Sequence, residues 1–239
     1  MPAADEPVES EETQEIKFDD DNIVMHCALR GDLDMLKAAL DNNDDPHHDA
    51  ALEKINQRNN VGKTPLEIAC MLGRENIVQE LIKRGVEVND QTGAGYSALH
   101  IAASWGSRHC LEVLVENGAK LNARNNHGET ARLAASRYNK EECVQFLDWA
   151  AAKKTLEDFI AELREMISDP EKLQGIKLSK EEKTSTISTC NEKQEWLDNN
   201  PEATVTDFLS KKQELEKDVE NLLAKINSPP PNTGSTGRK

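Results

Sequence analysis

No run of about 18 apolar residues, the length a helix needs to cross a bilayer, occurs in this 239-residue chain, so it is not expected to span a membrane. Basic charge is also scarce: 29 Lys and Arg stand against 44 Asp and Glu, a formal net charge of −15. Phosphate backbones and anionic headgroups repel such a chain on average, so neither nucleic acid nor a membrane surface is expected as a partner. The opening residues, MPAADEPVESEETQE, lack the basic flank and apolar core of a secretory leader. Cytoplasmic residence is therefore expected, with nuclear or cytoskeleton-associated sites left open. Five cysteines (Cys27, Cys70, Cys110, Cys143 and Cys190) are odd in number, widely spaced and never in a CxxC pair, which predicts reduced thiols with no disulfide and no zinc. No phosphate-cradling glycine loop, metal-ligand spacing or nucleophile with a base in register can be found, so no cofactor and no catalytic activity are expected.

What is present is ordered along the chain. Residues 1–21 carry nine carboxylates (Asp5, Glu6, Glu9, Glu11, Glu12, Glu15, Asp19, Asp20 and Asp21) against one lysine. Such a stretch reads as a solvated, disordered tail that either solubilises the chain or meets a basic partner. Residues 228–239, SPPPNTGSTGRK, read as a second disordered end. Between them a 33-residue period runs through Thr64, Ser97 and Thr130, through Gly62, Gly95 and Gly128, and through Ala69, Ala102 and Ala135. The pairs Gly73/Gly106, Gly85/Gly118 and Asn89/Asn122 share it. Leu66, Ala69, Ile77, Val78, Leu81 and Ile82 fall at helical spacing, Pro65 suits a first helical turn, and Gly73 and Gly106 allow a tight turn to an antiparallel helix.

The stretches 62–89 and 95–122, with TPLEIA and SALHIA at their cores, resemble the ankyrin family. The resemblance implies an all-α solenoid of helix pairs joined by short hairpin loops, spanning 22–152. Its parts are an N-terminal cap (22–40), an insert (41–58), and repeats at 59–91, 92–124 and 125–152. The insert is expected as a loop, since Gly31 precedes Gly73 by 42 residues; His47 and His48 with four aspartates there read as solvent-facing polar residues or as a weak metal site. Arg132 stands where the neighbours have Leu66 and Leu99, and Asn139 stands where they have glycine, as a capping repeat requires. Cys70, Cys110 and Cys143 occupy small core positions.

The ankyrin resemblance implies that His100 ties hairpin to helix, and that a protein partner binds the hairpin tips and the exposed side of the first helices. Carried onto this chain, the tips are Asn60, Val61 and Lys63, then Gly93, Ala94 and Tyr96, then Asn126, His127 and Glu129. The helix positions are Met71 and Leu72, Ser104 and Trp105, Arg137 and Tyr138. Among these, Lys63, Met71, Leu72, Tyr96, Trp105, His127, Arg137 and Tyr138 are the candidate partner-binding residues. Leu72, Trp105 and Tyr138 share one register and form an apolar ladder on the concave face. Either that ladder is a binding surface, or the 41–60 loop or the C-terminal module covers it.

Beyond Trp149 the period stops. Three amphipathic helices are expected in 153–227, marked by Leu156, Phe159, Ile160, Leu163, Met166 and Ile167, by Ile187, Cys190, Gln194 and Leu197, and by Phe208, Leu215, Val219, Leu222 and Ile226. Ser179 with Glu182 reads as a capping box for the second, and Asn200-Pro201 as N-cap and first position of the third. The three should pack as a small bundle. The Lys153-Lys154 junction reads either as a hinge or as the inside of one continuous helix.

Segments 156–183, 190–203 and 208–226 are similar to the C-terminal helical lid of the DnaK-type heat-shock chaperones. That family's ATPase domain, its peptide-holding sandwich and its acidic docking tetrapeptide have no counterpart here, so the resemblance implies only a bundle that contacts clients, chaperones or a second copy. A non-enzymatic adaptor or scaffold is the leading expectation. Regulation of the heat-shock chaperone machinery is the second, and an enzyme the third.

Overall fold

Asparagine, aspartate, serine and threonine open most of the helices, because a side-chain oxygen at the cap satisfies one of the first backbone N–H groups. In a computed structural model that describes residues 22–169 and 178–227, Asn22, Asp32, Thr64 and Thr130 each accept from the backbone N–H three residues on. The expectations for 1–21 and 228–239, and for 170–177 within the lid-like segment, lie outside the described residues. The helices among the described residues, in order, are α1 (Ile23–Arg30), α2 (Leu33–Asp41), α3 (His48–Lys54), α4 (Pro65–Met71), α5 (Glu75–Lys83), α6 (Ala98–Trp105), α7 (Arg108–Glu116), α8 (Ala131–Arg137), α9 (Glu141–Ser168), α10 (Lys180–Asn199), α11 (Val205–Asp218) and α12 (Glu220–Asn227). The protein is all-α, a solenoid of helix pairs followed by a helical bundle, and divides into units meeting at Cys143/Val144.

In the first unit, α1, α4, α6 and α8 stack in order, and α2, α5 and α7 form the layer behind them. Leu36, Ala39, Leu66, Ala69, Ile77, Leu81, Leu99, Leu111 and Leu114 fill the space between the layers. Arg132 and Leu133, at the end of the stack, are exposed where the preceding repeats bury Leu66 with Glu67 and Leu99 with His100. The turn between paired helices needs a left-handed residue. Gly73 (φ +66°) and Gly106 (φ +81°) supply it, and Asn139 takes the same conformation at φ +54°, as asparagine does most readily of the non-glycine residues.

The insert is not the loop expected. Residues 48–54 form α3, whose Ala51 is fully buried and which packs on α1 and α2. The Asn22 side-chain amide donates to the Lys54 carbonyl, and the His48 ring bonds the Ala39 carbonyl through Nδ1. With few apolar residues and no cap signal, a seven-residue helix leaves too faint a pattern for its period to be read.

In the second unit, Ala152, Leu156, Ile160, Leu163 and Ile167 of α9 meet Cys190 and Leu197 of α10, Phe208 and Leu215 of α11, and Val219 and Leu222. Helix α9 runs unbroken through Lys153 and Lys154. Ser179 and Glu182 form the expected capping box. Two other expectations are corrected. Helix α11 starts at Val205, not at Pro201, because Thr204 and Asp207 cap each other's backbone N–H groups; Asn200 instead ends α10. The inner stripe of α10 is Thr186, Cys190, Lys193 and Leu197, while Ile187 is exposed and Gln194 half-buried. Thr186 turns its hydroxyl back onto the Glu182 carbonyl and Lys193 reaches Glu214 at 3.0 Å, so both polar side chains are satisfied inside.

Candidate functional site

The hairpins are built on one repeated polar device. Asn59 and Asn125 each use their side-chain oxygen to accept two backbone N–H groups further round the loop, and the Thr92 hydroxyl accepts one in the same way. One position earlier, Arg58, Gln91 and Arg124 each donate to the carbonyl of the glycine four residues on. Arg58 also donates to the Gln91 carbonyl and Gln91 to the Arg124 carbonyl, 33 residues away, so the ladder runs from hairpin to hairpin.

His100 makes the tie that its place in SALHIA implies. Its Nδ1 accepts the Ser97 backbone N–H at 3.3 Å and the Ser97 hydroxyl at 2.8 Å, and its Nε2–H donates to the Glu129 carbonyl at 3.0 Å in the next hairpin. This pattern requires the neutral ring, and burial pushes the imidazole below its ordinary value. The unfolded chain therefore takes the proton first. Stability from this site is full above about pH 6.5, the ordinary histidine value, and falls as the pH drops below it. We expect the urea midpoint of the first unit to decrease between pH 7 and pH 5.5, and His100→Gln to be less stable at both values but to lose most of that slope. An unchanged slope in His100→Gln would remove His100 as its source. The equivalent position in the preceding repeat is Glu67, also buried. Its Oε1 accepts from Arg58 at 2.8 Å, while Oε2 has no partner among the described residues.

Beside this frame lies an exposed strip. Leu72, Trp105 and Tyr138, at the ends of α4, α6 and α8, are 41 %, 57 % and 53 % exposed. Met71 is half-buried beside Leu72, and Lys63 half-buried on its hairpin. Tyr96 sets its ring edge-on to His100 and to the exposed His127, with centroids 5.9 and 6.5 Å apart. Arg137 joins them: its guanidinium pairs with Glu129 at 2.8 Å, lies 5.1 Å from the Tyr138 ring centre and hydrogen-bonds Tyr96, which holds it above its ordinary value. Tyr96, His127, Arg137 and Tyr138 thus form one cluster, and Leu72 and Trp105 continue its register along the stack.

Sequence reasoning missed the first rung. Leu29 is 48 % exposed, and Arg30 is exposed beside it. They precede Gly31 as Met71 and Leu72 precede Gly73, but the longer spacing takes them out of the 33-residue period. Also missed were Arg74, whose stem lies against Gly31, and Lys140, whose stem lies against Gly106.

Four of the five thiols are pushed above their ordinary value, while the hydrogen bond with Cys70 lowers Cys110. All five are buried and unpaired; burial pushes Cys27 up to about 12, and raises Cys143 and Cys190. Cys70 is raised by its hydrogen bond to Cys110 and by burial. Among the described residues no three His, Cys, Asp or Glu side chains converge to hold a metal ion. His47 and His48 sit at the start of α3, with the His48 ring engaged by Ala39. In the second unit a depression of about 630 Å³ lies between the end of α10 and the start of α11. Lys211 lies against Trp196 there and pairs with Glu214, so its charge is met within the unit.

Residues 6–92 and 85–158 match the family profile described as ankyrin repeats (3 copies). The chain is 47 % identical over 221 residues to Ankyrin repeat domain-containing protein 45 of Mus musculus, covering 92 % of this chain and 88 % of that protein. It is 38 % identical over 208 residues to the protein of that name from Homo sapiens, covering 87 % and 78 %. Alignments of this length cannot be confined to the repeats, so the likeness extends into the C-terminal helices. Over a shorter span, 85 residues, the chain is 44 % identical to the protein of that name from Danio rerio, covering 36 % of this chain and 38 % of that protein.

Proposed function

The chain belongs to the ankyrin repeat family, and on that premise we propose that it is a non-enzymatic adaptor holding a protein partner across the strip of Leu29, Leu72, Trp105 and Tyr138. Ankyrin repeats are protein–protein interaction domains. The observation that carries the assignment is the repetition of a large, exposed apolar side chain at one register in three helix pairs, Leu72, Trp105 and Tyr138, with the exposed Leu29 one position earlier in the first pair, where Arg30 holds that register. Burying that surface alone would be the easier outcome for a monomer, and rows of exposed apolar groups flanked by arginine and tyrosine are what binding hot spots contain. Lys63, Met71, Tyr96, His127 and Arg137 border the strip and would supply the polar rim.

Trp105→Ala is expected to weaken partner binding by about 10- to 30-fold, since a central tryptophan in an interface contributes on the order of 2 kcal/mol. The residue is exposed, so the fold should survive, which circular dichroism would verify. The measurement is affinity capture from lysate with wild type, Trp105→Ala and the Leu72→Ala/Trp105→Ala/Tyr138→Ala variant as baits, followed by titration of the recovered partner. Equal recovery by all three baits rules the strip out.

The C-terminal helices would make a second contact or a self-association. Two of their apolar side chains, Ile187 and Leu209, are exposed on α10 and α11. A second reading, control of the heat-shock chaperone machinery by a lid-like bundle, is favoured by the self-contained core around Phe208, which needs neither an ATPase domain nor a peptide-holding sandwich to close it. Under that reading, Ile187→Glu/Leu209→Glu loses co-purifying chaperone while Trp105→Ala keeps it. Five buried, unpaired thiols fit a reducing compartment, and the cytoplasm is where we place the protein.

A further inference from the structure

We propose that the chain's own N-terminal segment, residues 1–21, docks on the strip of Leu29, Leu72, Trp105 and Tyr138 and occupies it in competition with the partner. The proposal rests on reading that strip as a peptide-binding surface and adds its regulation. Three observations lead to it.

The first is how charge is divided within the repeats. The helices that bear the strip, α1, α4, α6 and α8, contain one carboxylate between them, Glu67, which is buried and paired with Arg58. The helices behind them carry six: Asp34 and Asp41 on α2, Glu75 and Glu80 on α5, Glu112 and Glu116 on α7. In a chain of net charge −15, acid has been kept off one face. That face holds Arg30, Arg74 and Lys140 next to the apolar side chains, and none of the three makes an ion pair with a described residue. Cations without an ion pair among the described residues, set beside exposed apolar groups, suit an acidic segment that carries apolar side chains of its own.

The second is that the chain contains such a segment. Residues 1–21 hold nine carboxylates against one lysine, with Val8, Ile16 and Phe18 spaced among them.

The third is where the segment starts and how far it reaches. It joins the fold at Asn22, the N-cap of α1, which occupies the position of the later N-caps Thr64, Ser97 and Thr130. In those repeats a hairpin arrives at this point; in the first, the 21 residues before Asn22 are the ones that lead into it in sequence. Extended, they reach up to about 70 Å. Crossing from α1 to α8 takes three helix-to-helix steps of about 10 Å each. Tethering gives an effective concentration on the order of millimolar, so a weak contact suffices to fill the strip.

The test reads Trp105 in the full chain. The protein has three tryptophans, so a ¹⁵N spectrum shows three indole N–H resonances, and Trp105→Phe identifies the one on the strip. Replacing Glu9, Glu11, Glu12 and Glu15 by glutamine is expected to shift the Trp105 resonance and leave Trp149 and Trp196 in place. Raising the salt to about 1 M, where screening acts within about 3 Å, should shift the wild-type resonance the same way. A synthetic peptide of residues 1–21 added to the glutamine variant should return it towards its wild-type position. A Trp105 resonance identical in wild type and variant, or three resonances that move together, overturns the proposal. The two readings fail separately. An unresponsive Trp105 with partner capture still lost in Trp105→Ala removes only the docking of the tail; a responsive Trp105 with capture unchanged removes only the partner site.

Discussion

Truncating Phe208 to alanine is expected to destabilise the C-terminal helices by about 3–5 kcal/mol. Phe208 is 1 % exposed and is the largest fully buried side chain of its unit. Trp149 and Trp196 both set their rings edge-on against it, with centroids 5.9 Å away, and Phe146 stacks on Trp149 in turn. The Trp149 indole N–H is held by the Ala203 carbonyl at 2.9 Å, just before α11 begins, so that ring cannot swing into the space left behind. A cavity that its walls cannot close carries the full transfer and cavity cost. A bundle of this size holds only about 3–5 kcal/mol in total, so Phe208→Ala should leave α10 to α12 unfolded at 25 °C. Emission from Trp149 and Trp196 reads the transition, because Trp105 is already exposed when the protein is folded. Phe208→Leu, which fills most of the volume, should lose clearly less. A loss below about 1 kcal/mol in Phe208→Ala would mean that the two tryptophans, not Phe208, hold the core.

Gly95→Ala is expected to lower stability by about 2–4 kcal/mol, against about 1 kcal/mol for Gly62→Ala or Gly128→Ala. The three glycines share one register and one left-handed conformation, with φ of +80°, +76° and +75°, and so share the 1–2 kcal/mol that a Cβ meets there. What separates them is the neighbour. A Cβ at Gly95 would stand 2.8 Å from the Asn126 backbone nitrogen and 2.9 Å from the Asn125 Cα; at Gly62 and Gly128 it meets nothing within 4 Å. The clash is with backbone that is itself fixed, since Asn126 donates its N–H to the Ala94 carbonyl and its side-chain amide to the Gly93 carbonyl. The hairpins must part, taking with them the Gln91 bond to the Arg124 carbonyl and the His100 bond to the Glu129 carbonyl. Chemical denaturation of the three variants side by side decides it: equal losses would show that the hairpins tolerate separation.

The fold was largely legible because a 33-residue period overdetermines it. Each register position is read several times over, so Asn139 could be seen to stand in a glycine place from its neighbours alone, although only the structure showed that it takes the left-handed turn. The strip was legible for the same reason in its last three rungs, Leu72, Trp105 and Tyr138. Its start at Leu29, one position before the Arg30 that holds the same register, was not, because nine inserted residues broke the count. The stripe of α10 was also hidden: with Ile187, Cys190 and Leu197 as its main apolar positions, the phase of the helix is ambiguous. Packing chose the one that buries Thr186 and Lys193, whose polar ends find partners, and left Ile187 outside. Two start signals competed for α11, Asn200-Pro201 and Thr204 with Asp207, and the second prevailed because it satisfies two backbone donors.

By itself the sequence determined the all-α class, the 33-residue period and the small core positions of Cys70, Cys110 and Cys143, since all of these follow from local pattern counted along the chain. Tertiary structure alone decided what crosses between repeats. The carbonyl that receives His100, the hairpin that lies on Gly95 and the pairing of Arg137 with Tyr96, Glu129 and Tyr138 each depend on groups that meet only when one repeat is laid on the next. Hydrogen bonds and close contacts are satisfied over about 3 Å in space, whatever the separation along the chain.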